Sequence, residues 1–228
     1  NYPFEEGIKF TVSTDEKVAF PFYLRIPSWT QKAEVRVNGK KVSAAPVAGK
    51  YLCINREWAN GDRVELTLPM SLSMRTWQVN KNSVSVDYGP LTLSLKIAEK
   101  YVEKDSRETA IGDSKWQKGA DSKKSPTTEI YPDSPWNYSL VLDKKEPLKN
   151  FKVIRKSWPA DNYPFTVASV PLEVKAIGRP VPEWKIDETG LCGVLPEEDA
   201  VKGDKEEITL IPMGASRLRI SAFPNTKE

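Results

Sequence analysis

A chain of 228 residues with 34 basic side chains, 31 acidic ones, a net charge of +3 and no histidine excludes much chemistry at once. Without imidazole there is no Ser-His-Asp or Cys-His nucleophile system and no His-containing zinc site, and two cysteines cannot close a tetrahedral thiolate site. The charge is too weak for a nucleic-acid partner, and the longest apolar run, Val18 to Leu24, contains Pro21 and is too short to cross a bilayer as a helix.

Period-two alternation dominates the first hundred residues. Ile8, Phe10 and Val12 alternate with Lys9, Thr11 and Ser13. Phe20, Phe22, Leu24 and Ile26 share one face, and Tyr23 and Arg25 lie on the other. Val35 and Val37 lead into Asn38-Gly39. That pair suits a type I′ turn, whose two central residues both need positive φ. Cys53 sits inside Tyr51-Leu52-Cys53-Ile54 and is expected in or near the core. Asn60-Gly61-Asp62 marks the next turn, followed by alternating Val64, Leu66 and Leu68. Leu91, Leu93, Leu95 and Ile97 alternate in the same way. About nine short strands at this spacing predict a sandwich or jelly roll, because two apolar sheet faces must cover each other.

Composition then shifts. Glu99 to Lys124 is rich in Lys, Glu, Asp and Ser and reads as a long connection. Strand signals resume at Tyr138 to Leu142, at Leu172, Val174 and Ala176, at Glu207 to Ile211, and at Leu218 and Ile220. Gly178 to Lys205 reads as loop. The expected fold is all-β, with two consecutive antiparallel β-sandwich, jelly-roll-like domains. They take residues 1–99 and 100–228, the second opening with a polar connection over about 99–126. The start at Asn1, already close to strand alternation, suggests a piece of a longer protein.

The chemistry-bearing residues are few. Seven tryptophans invite a carbohydrate reading, since a sugar's C–H face stacks on an indole; tryptophan also fills cores. Trp136 is the best candidate, in Ser134-Pro135-Trp136-Asn137-Tyr138, where two aromatics flank an amide. Glu197-Glu198-Asp199 and Glu206-Glu207 could supply glycosidase carboxylates. Neighbours in extended chain point opposite ways, however, so they do not make a facing pair. There is no phosphate loop, and Lys123-Lys124 and Lys144-Lys145 read as solvated doublets.

Several motifs recur in order: Leu24-Arg25-Ile26-Pro27-Ser28-Trp29, Val35-Arg36-Val37-Asn38-Gly39 and Arg56-Glu57-Trp58-Ala59-Asn60-Gly61-Asp62. Then come Tyr88-Gly89-Pro90-Leu91, Tyr131-Pro132-Asp133-Ser134-Pro135-Trp136-Asn137-Tyr138, and Leu210-Ile211-Pro212 through Leu218-Arg219-Ile220. Together they resemble the C-terminal β-sandwich region of the β-L-arabinofuranosidase-type glycoside hydrolases, family 127, long labelled a domain of unknown function. The resemblance implies an N-terminal (α/α)6 barrel that carries the active site, with two β-sandwiches after it. Family catalysis is attributed to a cysteine nucleophile at a zinc site and to glutamates, all in the barrel. No catalytic residue, cofactor or metal ligand is therefore carried onto this chain, and zinc would belong to the absent catalytic domain. The expectation is a non-catalytic accessory region that packs on and stabilises its own N-terminal catalytic domain. The alternative is a carbohydrate-binding module for plant-type glycans. Arg25, Trp29, Trp136, Asn137 and Tyr138 are the candidate barrel or glycan contacts. A homodimer and an exported parent are further expectations; nucleic acid and membrane are not.

Overall fold

The computed structural model describes residues 1–105, 121, 123–188, 190–197, 201 and 203–228. The fold is all-β, in several sheets. Nine strands fall where alternation is densest: Gly7–Thr11 (β1), Val18–Arg25 (β2), Glu34–Val37 (β3), Lys40–Lys41 (β4), Tyr51–Trp58 (β5), Arg63–Thr67 (β6), Leu72–Trp77 (β7), Ser83–Tyr88 (β8) and Leu91–Leu95 (β9). Seven more follow: Glu99–Lys104 (β10), Thr127–Pro132 (β11), Tyr138–Leu142 (β12), Lys152–Arg155 (β13), Leu172–Pro180 (β14), Glu206–Pro212 (β15) and Asn225–Lys227 (β16). The chain divides into two compact units. Unit 1 is Asn1–Arg75 with Val86–Thr92, and unit 2 is Thr76–Ser85 with Leu93–Glu228.

Unit 1 holds an antiparallel sheet in the order β1-β6-β3-β4 and a separate ribbon of β2 and β5. Pairing places Phe10 opposite Val64 and Ile8 opposite Leu66, so the apolar residues of neighbouring strands coincide on one face. In the ribbon Leu24 faces Leu52 and Phe22 faces Ile54. The inward residues of both form one core around Leu24, Leu52, Val35, Val64, Leu66 and Trp58. Trp58 is fully buried, and its indole N–H donates to the Phe20 carbonyl at 2.9 Å. Pro21 fits within β2 because that strand pairs on one edge only.

The two turn motifs are built as expected, and they bond to each other. Asn38 and Gly39 have φ of 50° and 78°. The Asn38 amide donates to Asp62 at 2.7 Å, and its oxygen accepts from the Arg63 N–H at 2.8 Å. Asp62 also accepts from the Ala59 N–H at 3.0 Å. The Ala59 and Asn38 donors hold its carboxyl below the usual range. Cys53 is a correction: it is exposed, opposite Tyr23 on the outer face of the ribbon. All four residues of Tyr51–Ile54 are apolar by type, so composition hid the phase; Leu52 takes the core side.

In unit 2 the central strand is β14. It pairs antiparallel with β12, β13 and β15, and β15 continues onto Leu93–Leu95 of β9. β16 adds to β12 in parallel. Every residue of β12 is buried, and so are Leu172, Val174 and Ala176. Two expectations change here. The polar stretch after Glu99 opens as strand β10, paired with β11 from Glu99↔Pro132 to Lys104↔Thr127. This ribbon is half-buried at most, so it carries no apolar period to read. The rest of the expected connection, residues 106–120 and 122, lies outside the described residues. Leu218 to Ile220 is not a strand. The Ile220 N–H instead donates to the Ser94 hydroxyl at 3.0 Å, and its carbonyl accepts from the Leu95 N–H at 2.8 Å.

One ionic group is largely buried in unit 2. Glu173 is 9% exposed and accepts from Lys96 at 2.7 Å and Lys156 at 3.0 Å. Burial pushes its pKa up, but the two ammonium groups outweigh that and hold it below its ordinary 4.5. A depressed folded pKa gives stability that is full above the unfolded value and lost as pH falls through the folded one. Glu173→Gln is expected to cost about 1–2 kcal/mol at pH 7, discounted because both lysines are partly solvated. The difference from wild type should shrink as pH drops below 4.5. Thermal melts between pH 3 and 7 check this; a constant difference across that range would refute it.

Candidate functional site

The five residues singled out in the sequence fall into three settings. Arg25 is exposed at the end of β2, opposite Tyr51. It shares the ribbon's outer face with Tyr23, 61% exposed, and Tyr51, 67% exposed. Trp29 is half-buried and packs against the unit 1 core. Trp136, Asn137 and Tyr138 lie together in unit 2 but face different ways.

Tyr138 belongs to the core. It is buried, and desolvation together with a hydrogen bond to Glu206 pushes its pKa up to about 12. Asn137 is a structural clasp. Its amide donates to the carbonyls of Val181 at 3.0 Å and Trp184 at 3.2 Å, and its own carbonyl accepts from the Val181 N–H at 2.7 Å. Trp136 alone opens onto a cavity. Its ring meets Trp184 edge-on, with centroids 5.2 Å apart at 63°. Trp184 is buried, and its indole N–H donates to the Gly193 carbonyl at 2.9 Å.

The cavity is an open cleft of about 810 Å³ within unit 2. It is lined by Ile97, by Glu129 to Pro132 with Trp136, by Ile186 to Glu188 and Gly190 to Cys192, and by Arg217 to Ile220. Its polar groups are Glu129, Asp187, Glu188, Arg217 and Arg219. Arg219 is locked to the carbonyls of Ser216 at 2.8 Å and Met213 at 3.2 Å. The Arg217 backbone is pinned by Glu99 at 2.6 Å, while its guanidinium has no hydrogen-bond or ion-pair partner among the described residues. Sequence reasoning missed the arginines and acids, since no local pattern joins segments so far apart. A signal did exist: Tyr131 to Tyr138 and Leu218 to Ile220 were both motifs of the resemblance, and they meet at this cleft.

Of the carboxylates named in the sequence, Glu197, Glu206 and Glu207 lie within the described residues. Glu197 pairs with Lys81 at 2.8 Å, and Glu207 pairs with Lys175 at 3.0 Å. Glu198 and Asp199 lie outside the described residues. Among the described residues no group of three His, Cys, Asp or Glu side chains could hold a metal ion. The two cysteines are free, Cys53 in unit 1 and Cys192 in unit 2.

Comparison with known proteins places this β architecture among glycoside hydrolase chains. A structure described as a glycoside hydrolase matches with TM-score 0.58 and 21% identity, over 99% of this chain and 31% of that one. A GH127 beta-L-arabinofuranosidase from Geobacillus stearothermophilus T6 matches at TM-score 0.58 and 22% identity, over 99% of this chain and 29% of that one. A further GH127 beta-arabinofuranosidase matches at TM-score 0.57 and 20% identity, over 99% and 30%. The chain thus spans under a third of the length of each. The search of curated proteins gave no match. Residues 1–70 match the family model described as the middle domain of the GH127 beta-L-arabinofuranosidases.

Proposed function

We propose that this chain is the non-catalytic accessory region of a GH127-type glycoside hydrolase, built as two β-sandwiches that pack on and stabilise a separate catalytic barrel. The observation that carries this reading is the match over 99% of this chain but only 29–31% of the similar structures, which leaves most of such a chain for other domains. The outer face of the β2–β5 ribbon supports it. Tyr23, Tyr51 and Arg25 stand exposed there over strands whose inner face is core. Exposed aromatics beside a planar cation are typical of a protein-facing surface. In this reading the ribbon faces the barrel, and the parent hydrolyses β-L-arabinofuranosides.

The test uses the full-length parent. Tyr23→Ser combined with Tyr51→Ser alters exposed side chains and is expected to leave the melting of the 228-residue chain alone unchanged. The same pair should lower the parent's Tm by several degrees, since 1 kcal/mol moves a large domain by roughly 2–4 °C. An unchanged parent melt would sink the assignment of this face.

A further inference from the structure

We propose that the cleft in unit 2 is a binding site for a neutral oligosaccharide, with Trp136 as its stacking platform. The choice of a saccharide rests on reading the parent as a glycoside hydrolase; the site itself rests on the geometry.

The platform is mounted rigidly. Trp136 is braced by the edge-on contact with Trp184, which is itself buried and hydrogen-bonded. The Asn137 clasp ties the next residue to the same loop through three hydrogen bonds. The indole N–H of Trp136 has no partner among the described residues. A half-buried indole held in place beside open space suits the C–H face of a sugar ring, since little side-chain entropy is left to lose. Tyr131, 44% exposed, lines the same cleft and adds a second aromatic.

The polar groups suit hydroxyls. The Arg217 guanidinium is a planar donor fork with no hydrogen-bond or ion-pair partner among the described residues, on a backbone held by Glu99. Glu129 and Glu188 offer acceptors. Hydroxyls donate and accept together, so donors and acceptors in one cleft match them better than they match a simple ion. Charge argues for a neutral sugar. The lining acids Glu129, Asp187 and Glu188 outnumber Arg217 and Arg219, and Arg219 already serves backbone carbonyls. A volume of about 810 Å³ lies in the range of small-molecule clefts and takes more than one sugar ring.

Calorimetric titration of the 228-residue chain with arabinotriose, xylotriose, cellotriose and trigalacturonate tests this. At least one neutral trisaccharide should bind with a Kd at or below the millimolar range, and trigalacturonate at least tenfold more weakly. Trp136→Ala should weaken that binding at least tenfold. Arg217→Ala changes an exposed side chain, so the fold survives even if Trp136→Ala loosens its loop; it should weaken binding several-fold. Trp77→Ala, outside the cleft lining, should leave the Kd unchanged. No heat with any neutral trisaccharide, tighter binding of trigalacturonate, or binding indifferent to both Trp136 and Arg217 would each overturn the site. The accessory reading fails separately, through the parent melt of the ribbon variants.

Discussion

Trp58→Ala is expected to destabilise the chain by about 3–5 kcal/mol, the usual range for removing a large buried aromatic. Trp58 is 0% exposed. It stacks on Phe20 at 5.7 Å between centroids and tilts against Phe22 at 5.6 Å. Its N–H is the partner of the Phe20 carbonyl, so truncation removes contacts and also leaves that carbonyl without its donor. The Arg56 guanidinium lies 5.0 Å from the ring centre and loses its cation–π contact too. Urea unfolding followed by circular dichroism should show a lower midpoint. Trp58→Phe should fall between the two, because it keeps an aromatic but not the N–H. A midpoint unmoved by Trp58→Ala would show that the ribbon does not depend on this core.

Gly89→Ala is the second large effect, expected at about 2–4 kcal/mol. Two costs coincide. Gly89 has φ +56°, where a Cβ is strained. A Cβ there would also stand 2.6 Å from Cγ and 2.9 Å from Sδ of Met70. Met70 is 9% exposed, and its own Cβ would also stand 3.1 Å away, so rotation of the side chain alone does not relieve the contact. The two costs separate experimentally. Gly89→Ala combined with Met70→Ala removes the clash but not the strain, so its loss should fall below the sum of the single losses by more than 1 kcal/mol. Strict additivity of the two losses would rule out the close contact. The same packing accounts for glycine in the Tyr88-Gly89-Pro90-Leu91 motif.

Unit 1 was legible because its strands keep one face dry. Phe22, Leu24 and Ile26 alternate with exposed neighbours, so register and burial could be read together. The Asn38-Gly39 turn was legible for a stereochemical reason, the demand for positive φ. Its bond to Asp62 was not, since nothing local says which carboxylate will be near. Unit 2 was harder to read. β12 is buried on both faces and shows no clear alternation, while β10 is largely exposed and shows none either. Of the candidate contacts, the Trp136 neighbourhood was visible as an aromatic, proline-rich motif. That Asn137 is a clasp and Tyr138 a core residue depends on Val181, Trp184 and Glu206, all distant in sequence.

The strand order of unit 1 has a consequence for how the protein is made. β6 lies between β1 and β3, pairing Gly7 with Thr67 on one side and Val35 with Leu66 on the other. Both neighbours leave the ribosome before the strand that joins them. Their apolar residues and open edges must wait for residues 63–67, and only then can the sheet close. Long-range pairing of this kind makes folding slow relative to local hairpins. The nascent chain is thus most exposed to edge-to-edge association just before β6 arrives, and β6 is the strand on which commitment to the fold turns.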